Sequence, residues 1–345
     1  FSICKLSISL KFLFFFKFSN MYFMIYFFCI YIMKYLLSII IPFKDSKKFI
    51  NKNLSCCIEL SKNSNIEIIY INNLSSQKLD FLKKKISKLK NINLYNTPKK
   101  DGIGPGIGRN LGIKKSKAKF ILFLYIDDLI NLKNFKNLLI FLKKFKDNVL
   151  TLKKVQIKNK SKIFRIPPNI DYSRKKLVPF FIKKNNMECI GIIYKKDFLK
   201  KNKINFNQGI YEDIFFVFKT YFINKLKIKK FNKEIYLKYF NKNSITNSNI
   251  NINKIKYKFL AFRNIIIFLK KNLTKKDYLK IKKHIQYRLR GEFANQLMTI
   301  KNLSANSNKK NIYVEYLKKK YIKLIDEKFL VKTKKDQIVK SILNV

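Results

Sequence analysis

From residue 35 onward, apolar runs of strand length alternate with stretches of helical period. "YLLSIIIPF" (35–43) is an apolar, β-branched run ending at a proline and a phenylalanine. Residues 46 to 61 then repeat at helical spacing, with Ser46 as candidate N-cap. "IEIIYI" (66–71) reads as a second strand, and 76–90 as an amphipathic helix with Leu79, Leu82, Ile86 and Leu89 on one face. "INLYN" (92–96) is a short third strand. A glycine-rich stretch leads into a helix near Arg109 to Lys117, "KFILFLYI" (119–126) is a fourth strand, and 131–146 is a helix.

The pattern then loosens. "NVLTLKKVQIK" and "KIFRIP" read as strands, and "ECIGIIYKKDFLKKN" as a strand feeding a short helix. "YEDIFFVFKTYFINK" is a helix with acids in its first turn, which suits its dipole. Residues 241–253 form a polar loop and boundary, and 254–345 read mainly as helices. One of these carries Val314, Leu317, Tyr321, Leu324 and Ile325 on a stripe opposite lysines. Strands apolar on both faces, alternating with helices, predict an α/β fold with a mostly parallel sheet. In such sheets the ligand sits at the carboxyl ends of the strands. Three polar clusters fall there: Lys44-Asp45, Asn72-Asn73 and Asp127-Asp128.

Composition sharpens these positions. The chain has 76 Lys and Arg, 20 Asp and Glu, and a formal charge of +56. Such a charge favours anionic partners. It also matches the Lys, Asn, Ile, Phe and Tyr bias that an AT-rich genome imposes on any protein. The basic residues are spread along the chain and no nucleic-acid module is visible, so nucleic acid is not expected as a partner. Only 8 glycines occur, and five of them lie within 102–112. The acids form three adjacent pairs: Asp127-Asp128, Glu212-Asp213 and Asp326-Glu327. The five cysteines show neither metal spacing nor a disulfide framework, which fits a reducing compartment. One histidine, His284, excludes a multi-His metal cluster.

Residues 18–33 carry no charge, yet the run is shorter than the roughly 20 residues of a membrane-spanning helix. The chain begins with Phe, and Met33 stands just ahead of the first strand. The expectation is that residues 1–32 are translated upstream sequence; a hydrophobic membrane anchor is the alternative.

Chemistry concentrates in few residues. "DGIGPGIGRNLG" is neither a Walker loop nor a dinucleotide fingerprint. A glycine turn entering a helix can still offer backbone N–H groups to an anion, with Arg109 and Asn110 beside it to contact a diphosphate or a base. Carboxylates at a strand end can hold Mg²⁺ or Mn²⁺ and bridge it to phosphates. Asp128 can instead cap the next helix, which leaves Asp127 as the better ligand.

The segments "LLSIIIPFKDSKKFINKNLSCCI", "IEIIYINNLSS", "GIGRNLGIKKSKAKFILFLYIDDLI" and "GIYEDIFFVFK", in this order and spacing, resemble a family 2 glycosyltransferase with the A-type, Rossmann-like fold, over roughly 35–246. The resemblance implies three parts: an N-terminal extension (1–32), a catalytic domain (33–250) and a basic helical C-terminal region (251–345). It implies an inverting, metal-dependent transfer from a nucleotide sugar, a UDP-sugar, to a glycan or lipid-linked acceptor in surface polysaccharide synthesis. The enzyme would work in the cytoplasm, peripherally at an anionic membrane face. By resemblance, Pro42, Phe43 and Asp45 line the nucleotide pocket, and Arg109 and Asn110 lie beside it. Asn72 and Asn73 replace two acids that hold base and ribose. Tyr125 replaces the first acid of an Asp-x-Asp-Asp pattern, Asp127 and Asp128 match the Mn²⁺- or Mg²⁺-binding part, and Asp213 matches the catalytic base, with Glu212 in support.

Overall fold

The computed structural model describes residues 34–99, 102, 104–158, 161–165, 187–222, 228–241, 244, 248–303, 306–325 and 333–343. The 1–32 extension and the Asp326-Glu327 pair lie outside them. The elements are β1 (Tyr35–Phe43), α1 (Lys47–Ser61), β2 (Ile66–Asn72), α2 (Asp80–Ile86), β3 (Ile92–Asn96), α3 (Pro105–Lys115), β4 (Ala118–Phe123), β5 (Leu129–Ile130), α4 (Leu132–Lys144), β6 (Val149–Lys158), β7 (Ser161–Arg165), β8 (Ile192–Lys195), α5 (Lys196–Lys201), α6 (Glu212–Phe222) and β9 (Ile228–Tyr239). Four helices follow: α7 (Ile252–Asn272), α8 (Lys275–Lys301), α9 (Ser307–Tyr321) and α10 (Lys334–Leu343).

Among the described residues the sheet runs β3-β2-β1-β4-β8-β6-β9-β5, with β7 paired to β6. Its first four strands are mutually parallel. Beyond them β8 is antiparallel to β4 and β6, while β6 and β9 are parallel. The registers explain the continuous apolar runs. Pro42 pairs with Ile71, and both face α3 across Gly108. Ile41 pairs with Tyr70 on the opposite face, where the Tyr70 hydroxyl reaches Asn53 of α1. With helices on both faces, β1 is mostly apolar and buried, and its Ser38 is satisfied inside by Glu67 and Ser116.

Several boundaries differ from the sequence reading: α3 spans Pro105–Lys115 rather than 109–117, and α2 ends at Ile86 rather than 90. Helix α2 begins at Asp80, not 76. Ser76 and Gln77 are drawn back toward the end of β1: Ser76 N–H and Oγ bond Asp45 at 2.8 and 2.9 Å, and Gln77 accepts from Lys47 N–H. Strand β4 stops at Phe123 because, one bond later (Leu124 N–H to Ile40 O), the chain turns, closed by Asp128 N–H to Tyr125 O.

The C-terminal helices are packed onto this core. Phe268 of α7 meets Phe215, Phe218 and Phe222 of α6, and Tyr321 lies between Phe259 and Phe293. Asn251, Thr274 and Asn306 cap α7, α8 and α9 with side-chain acceptors. Among the described residues no helix is long and apolar enough to cross a membrane.

Candidate functional site

The turn Tyr125–Asp128 lies at the carboxyl end of β4, beside the end of β1. Its two aspartates have different surroundings. Asp128 is 1% exposed. Its Oδ2 accepts from Tyr236 hydroxyl (2.7 Å), its Oδ1 from Tyr239 N–H (2.8 Å), and its backbone oxygen from Asn53 (3.0 Å). Burial, with Asp127 next to it, pushes its carboxyl up to about 7. Asp128 therefore straps the turn to β9, with both oxygens engaged; the N-cap of α4 is Asn131 instead. Asp127 is half-buried and accepts one bond, from Asn241 Nδ2 to its Oδ2 at 2.8 Å. Among the described residues no group of three or more His, Cys, Asp or Glu is gathered for a metal. A single carboxylate at a strand end still suits Mg²⁺ or Mn²⁺, which takes one or two carboxylates and completes its shell from phosphates and water. Asp127 fits that role and Asp128 does not.

The glycine run is a packing surface. A Cβ on Gly112 would sit 2.3 Å from Ile40, and one on Gly108 3.0 Å from Pro42, so α3 lies close on β1. A Cβ on Gly104, where φ is +103°, would fall 2.0 Å from Gly209 O, and one on Gly106 2.4 Å from Asn207 O. The start of α3 is thus covered by the segment 206–212. Asn110 grips that segment at both Phe206 N–H and Phe206 O, each at 2.9 Å. Arg109 is 1% exposed and donates to Glu212 in a buried ion pair. Its guanidinium lies 5.5 Å from the Tyr125 ring centre and 5.1 Å from that of Phe206. Arg109 and Asn110 are therefore both engaged within the protein.

Asp213 follows Glu212 in the first turn of α6 and is half-buried. Burial and the Glu212 charge push its carboxyl up to about 7, against the pull of Arg109. Burial likewise raises the Tyr125 phenol, and Asp213 adds to the shift, so the two groups are neighbours. Arg109 thus joins the turn after β4 to the start of α6.

On the other flank, Asp45 is exposed at the end of β1, with φ +45° and the Ser76 bonds that hold its carboxyl below the usual carboxylate range. Pro42 and Phe43 are buried, and Phe43 packs edge-on against Tyr70. Asn72 donates to Asn96 (2.8 Å) and accepts from Ser75 N–H. Asn73, 7% exposed, donates to Gly104 O (2.9 Å) and accepts from Thr97, tying β2 to the glycine run.

Three partners escaped the sequence reading. Tyr236 hydroxyl also accepts from Tyr125 N–H at 3.2 Å, so one phenol holds both ends of the aspartate turn. Asn241 orients Asp127. Glu188, just before β8, pairs with Lys154 and Lys238 and adds to the raised Asp213 carboxyl. The first two lie more than 100 residues from the aspartates, in "YLKYFNKNSITNS", a stretch that resembles the family's late strand and loop but in which the sequence singles out no residue.

The model of the family described as glycosyl transferase family 2 matches residues 38–219. An uncharacterized glycosyltransferase of Haemophilus influenzae is 34% identical over 96 residues, covering 28% of this chain and 37% of that protein. One of Rickettsia bellii is 36% identical over 92 residues, covering 27% and 13%. The chain thus spans well under half the length of these curated relatives. Among solved structures, S. aureus TarS 1–349 in complex with UDP-GlcNAc matches with TM-score 0.62 at 19% identity, over 85% of this chain and 82% of that one. The same protein with UDP gives 0.59 at 19% identity, over 85% and 81%. At such identity the likeness establishes the fold, and it is the A-type fold that the sequence pattern resembled.

Proposed function

The chain belongs to glycosyl transferase family 2, and on that premise we propose that it transfers a sugar, with inversion, from a UDP-sugar to a hydroxyl of a glycan or lipid-linked acceptor in surface polysaccharide synthesis. The observation that supports this most is the convergence on Arg109. It packs on Tyr125 and pairs with Glu212, so the turn carrying Asp127 and the helix start carrying Asp213 are held close together. The likeness to a protein solved with UDP-GlcNAc supports a UDP-sugar as donor.

The nucleotide end lies toward Asp45, Asn72 and the ends of β1 and β2, the usual ligand side of such a sheet. A Mn²⁺ or Mg²⁺ arriving with the donor would be held by Asp127 and would supply positive charge against the leaving diphosphate. Asp213 serves as general base: it takes the proton of the acceptor hydroxyl as that oxygen forms its bond to the anomeric carbon and the bond to UDP breaks. A carboxyl raised to about 7 by its burial is well matched to that task at neutral pH.

We place the enzyme in the cytoplasm, at the inner face of a membrane. The free thiols of Cys56, Cys57 and Cys189 suit a reducing compartment. The corner between α7 and α8 exposes Lys270, Lys271, Lys275 and Lys276, flanked by Ile267 and Leu279 at 48% and 55% exposure. This mixture suits anionic lipid.

The test is UDP release from a panel of UDP-sugars with Mn²⁺. Release that stops on chelation and returns with Mn²⁺ is expected. No release from any member of the panel overturns the reading.

A further inference from the structure

Glu212 stands next to the proposed base, yet its side chain is 4% exposed, so an acceptor cannot reach it. Its partner Arg109 is equally shut in, beside the Tyr125 and Phe206 rings, and among the described residues its Nε finds no acceptor. The segment they hold is unusual in its backbone. Gly209 has φ +93° and Tyr211 φ +59°, a left-handed conformation that a tyrosine adopts at some cost. Such a path persists only when its surroundings impose it. Here α3 imposes it from one side, through Arg109, the Asn110 clamp on Phe206, and the bare faces of Gly104 and Gly106. From the other side the Tyr257 ring of α7 fills the space at Gly209, and Lys258 pairs with Glu292 while lying 5.7 Å from the Tyr211 ring centre.

We propose that Glu212 and Arg109 are positioning residues for sugar transfer: their buried ion pair fixes Asp213 against the Tyr125–Asp128 turn, and neither touches the donor. The inference rests on the reading of Asp213 as base. It assigns Arg109 to the base and away from the diphosphate, because a guanidinium 1% exposed and already paired has no face left for a phosphate.

The pair also sets the charge around the base. The charges acting on Asp213 are Glu212 beside it, Arg109 from α3 and Glu188 ahead of β8; Tyr125 after β4, Cys189 ahead of β8, Tyr194 on β8 and Tyr211 also face it and feel its charge. Glu212 favours the protonated form and Arg109 the ionised form. Taking away the Glu212 charge leaves Arg109 unopposed, so Asp213 gives up its proton more readily and becomes a weaker base.

The full chain would be compared with Glu212→Gln, with the double variant Arg109→Gln/Glu212→Gln, and with Asp213→Asn. UDP affinity with Mn²⁺, UDP release from UDP-GlcNAc or the best donor of the panel, and thermal melting would be followed. Both pair variants should keep UDP affinity within about twofold and lose at least about tenfold in kcat, since small misplacements of a reacting group cost about that or more. In Glu212→Gln the acid limb of the pH–rate profile should move to lower pH, which a role in packing alone would not cause. The double variant carries no uncompensated charge and decides the matter where Glu212→Gln does not fold. Wild-type kcat in either pair variant, a large loss of UDP affinity in the double variant, or loss of the melting transition in both overturns the proposal. Transfer by Asp213→Asn at near wild-type rate, or a wild-type chain without UDP release, overturns instead the functional reading beneath it.

Discussion

Asp127 and Asp128 are neighbours in sequence with opposite tasks. Asp127 is half-buried and accepts a single bond, from Asn241, while Asp128 spends both oxygens on β9. Asp127→Asn should therefore abolish Mn²⁺-dependent UDP binding, measured by calorimetry, with little change in melting temperature. Asp128→Ala strands the Tyr236 hydroxyl and the Tyr239 N–H in the interior; unfolding by denaturant should show a loss of about 2–4 kcal/mol. Asp128→Asn, which keeps shape and an acceptor, should cost well under that. A chain in which Asp128→Asn erased metal-dependent binding and Asp127→Asn kept it would reverse the assignment. The sequence could place both acids at a strand end, because the apolar run before them is unmistakable. It could not separate them, since the deciding group, Tyr236, arrives 108 residues later and looks like any strand tyrosine. The same limit applies to Asn73, whose amide is taken up by Gly104 and Thr97 rather than left open.

Helix α3 shows what scarce glycines do in this chain. Gly104, Gly106 and Gly112 let it lie against β1 and under the 206–209 segment at distances no Cβ allows, and Gly108 approaches β1 more closely than most Cβ atoms would. Gly112→Ala should destabilise by about 1–3 kcal/mol as Ile40 is forced aside. Gly291 gives the contrast: it lies within α8 and a Cβ there would meet nothing within 4 Å. Gly291→Ala should stabilise by roughly 0.5–1 kcal/mol, because only the helix propensity changes. Thermal melts of the two variants should move in opposite directions. At this scale the sequence was informative about which elements exist. Long apolar runs bury both faces and read the same from either end, and β1, β2, β3 and α1 fall close to their expected limits. It was less informative about ends set by remote contacts, such as the late start of α2 at the Asp45 loop. It offered the glycine run as an anion cradle, and the structure shows that run packed closely against Asn207 and Gly209.

At the scale of the whole molecule, the basic C-terminal helices have two faces with different duties. Inward, Phe268 packs among Phe215, Phe218 and Phe222 of α6, the helix that bears Asp213, so cutting the tail away would expose that helix as well. A test of lipid binding must therefore leave the fold intact and change charge alone. The α7–α8 corner allows this, since Lys270, Lys271, Lys275 and Lys276 are all exposed. Each Lys near an anionic surface contributes about 1 kcal/mol at low salt. Replacing the four with Gln should lower partitioning to phosphatidylserine-containing vesicles by about three orders of magnitude, with a weaker salt dependence and an unchanged melting temperature. The chain's overall charge of +56 makes the control essential. Lys83, Lys84, Lys85 and Lys88, exposed on and just after α2, would be replaced in the same way. If the corner faces the lipid, the control loses far less binding; an equal loss would mean that diffuse charge, not this corner, draws the protein to the membrane.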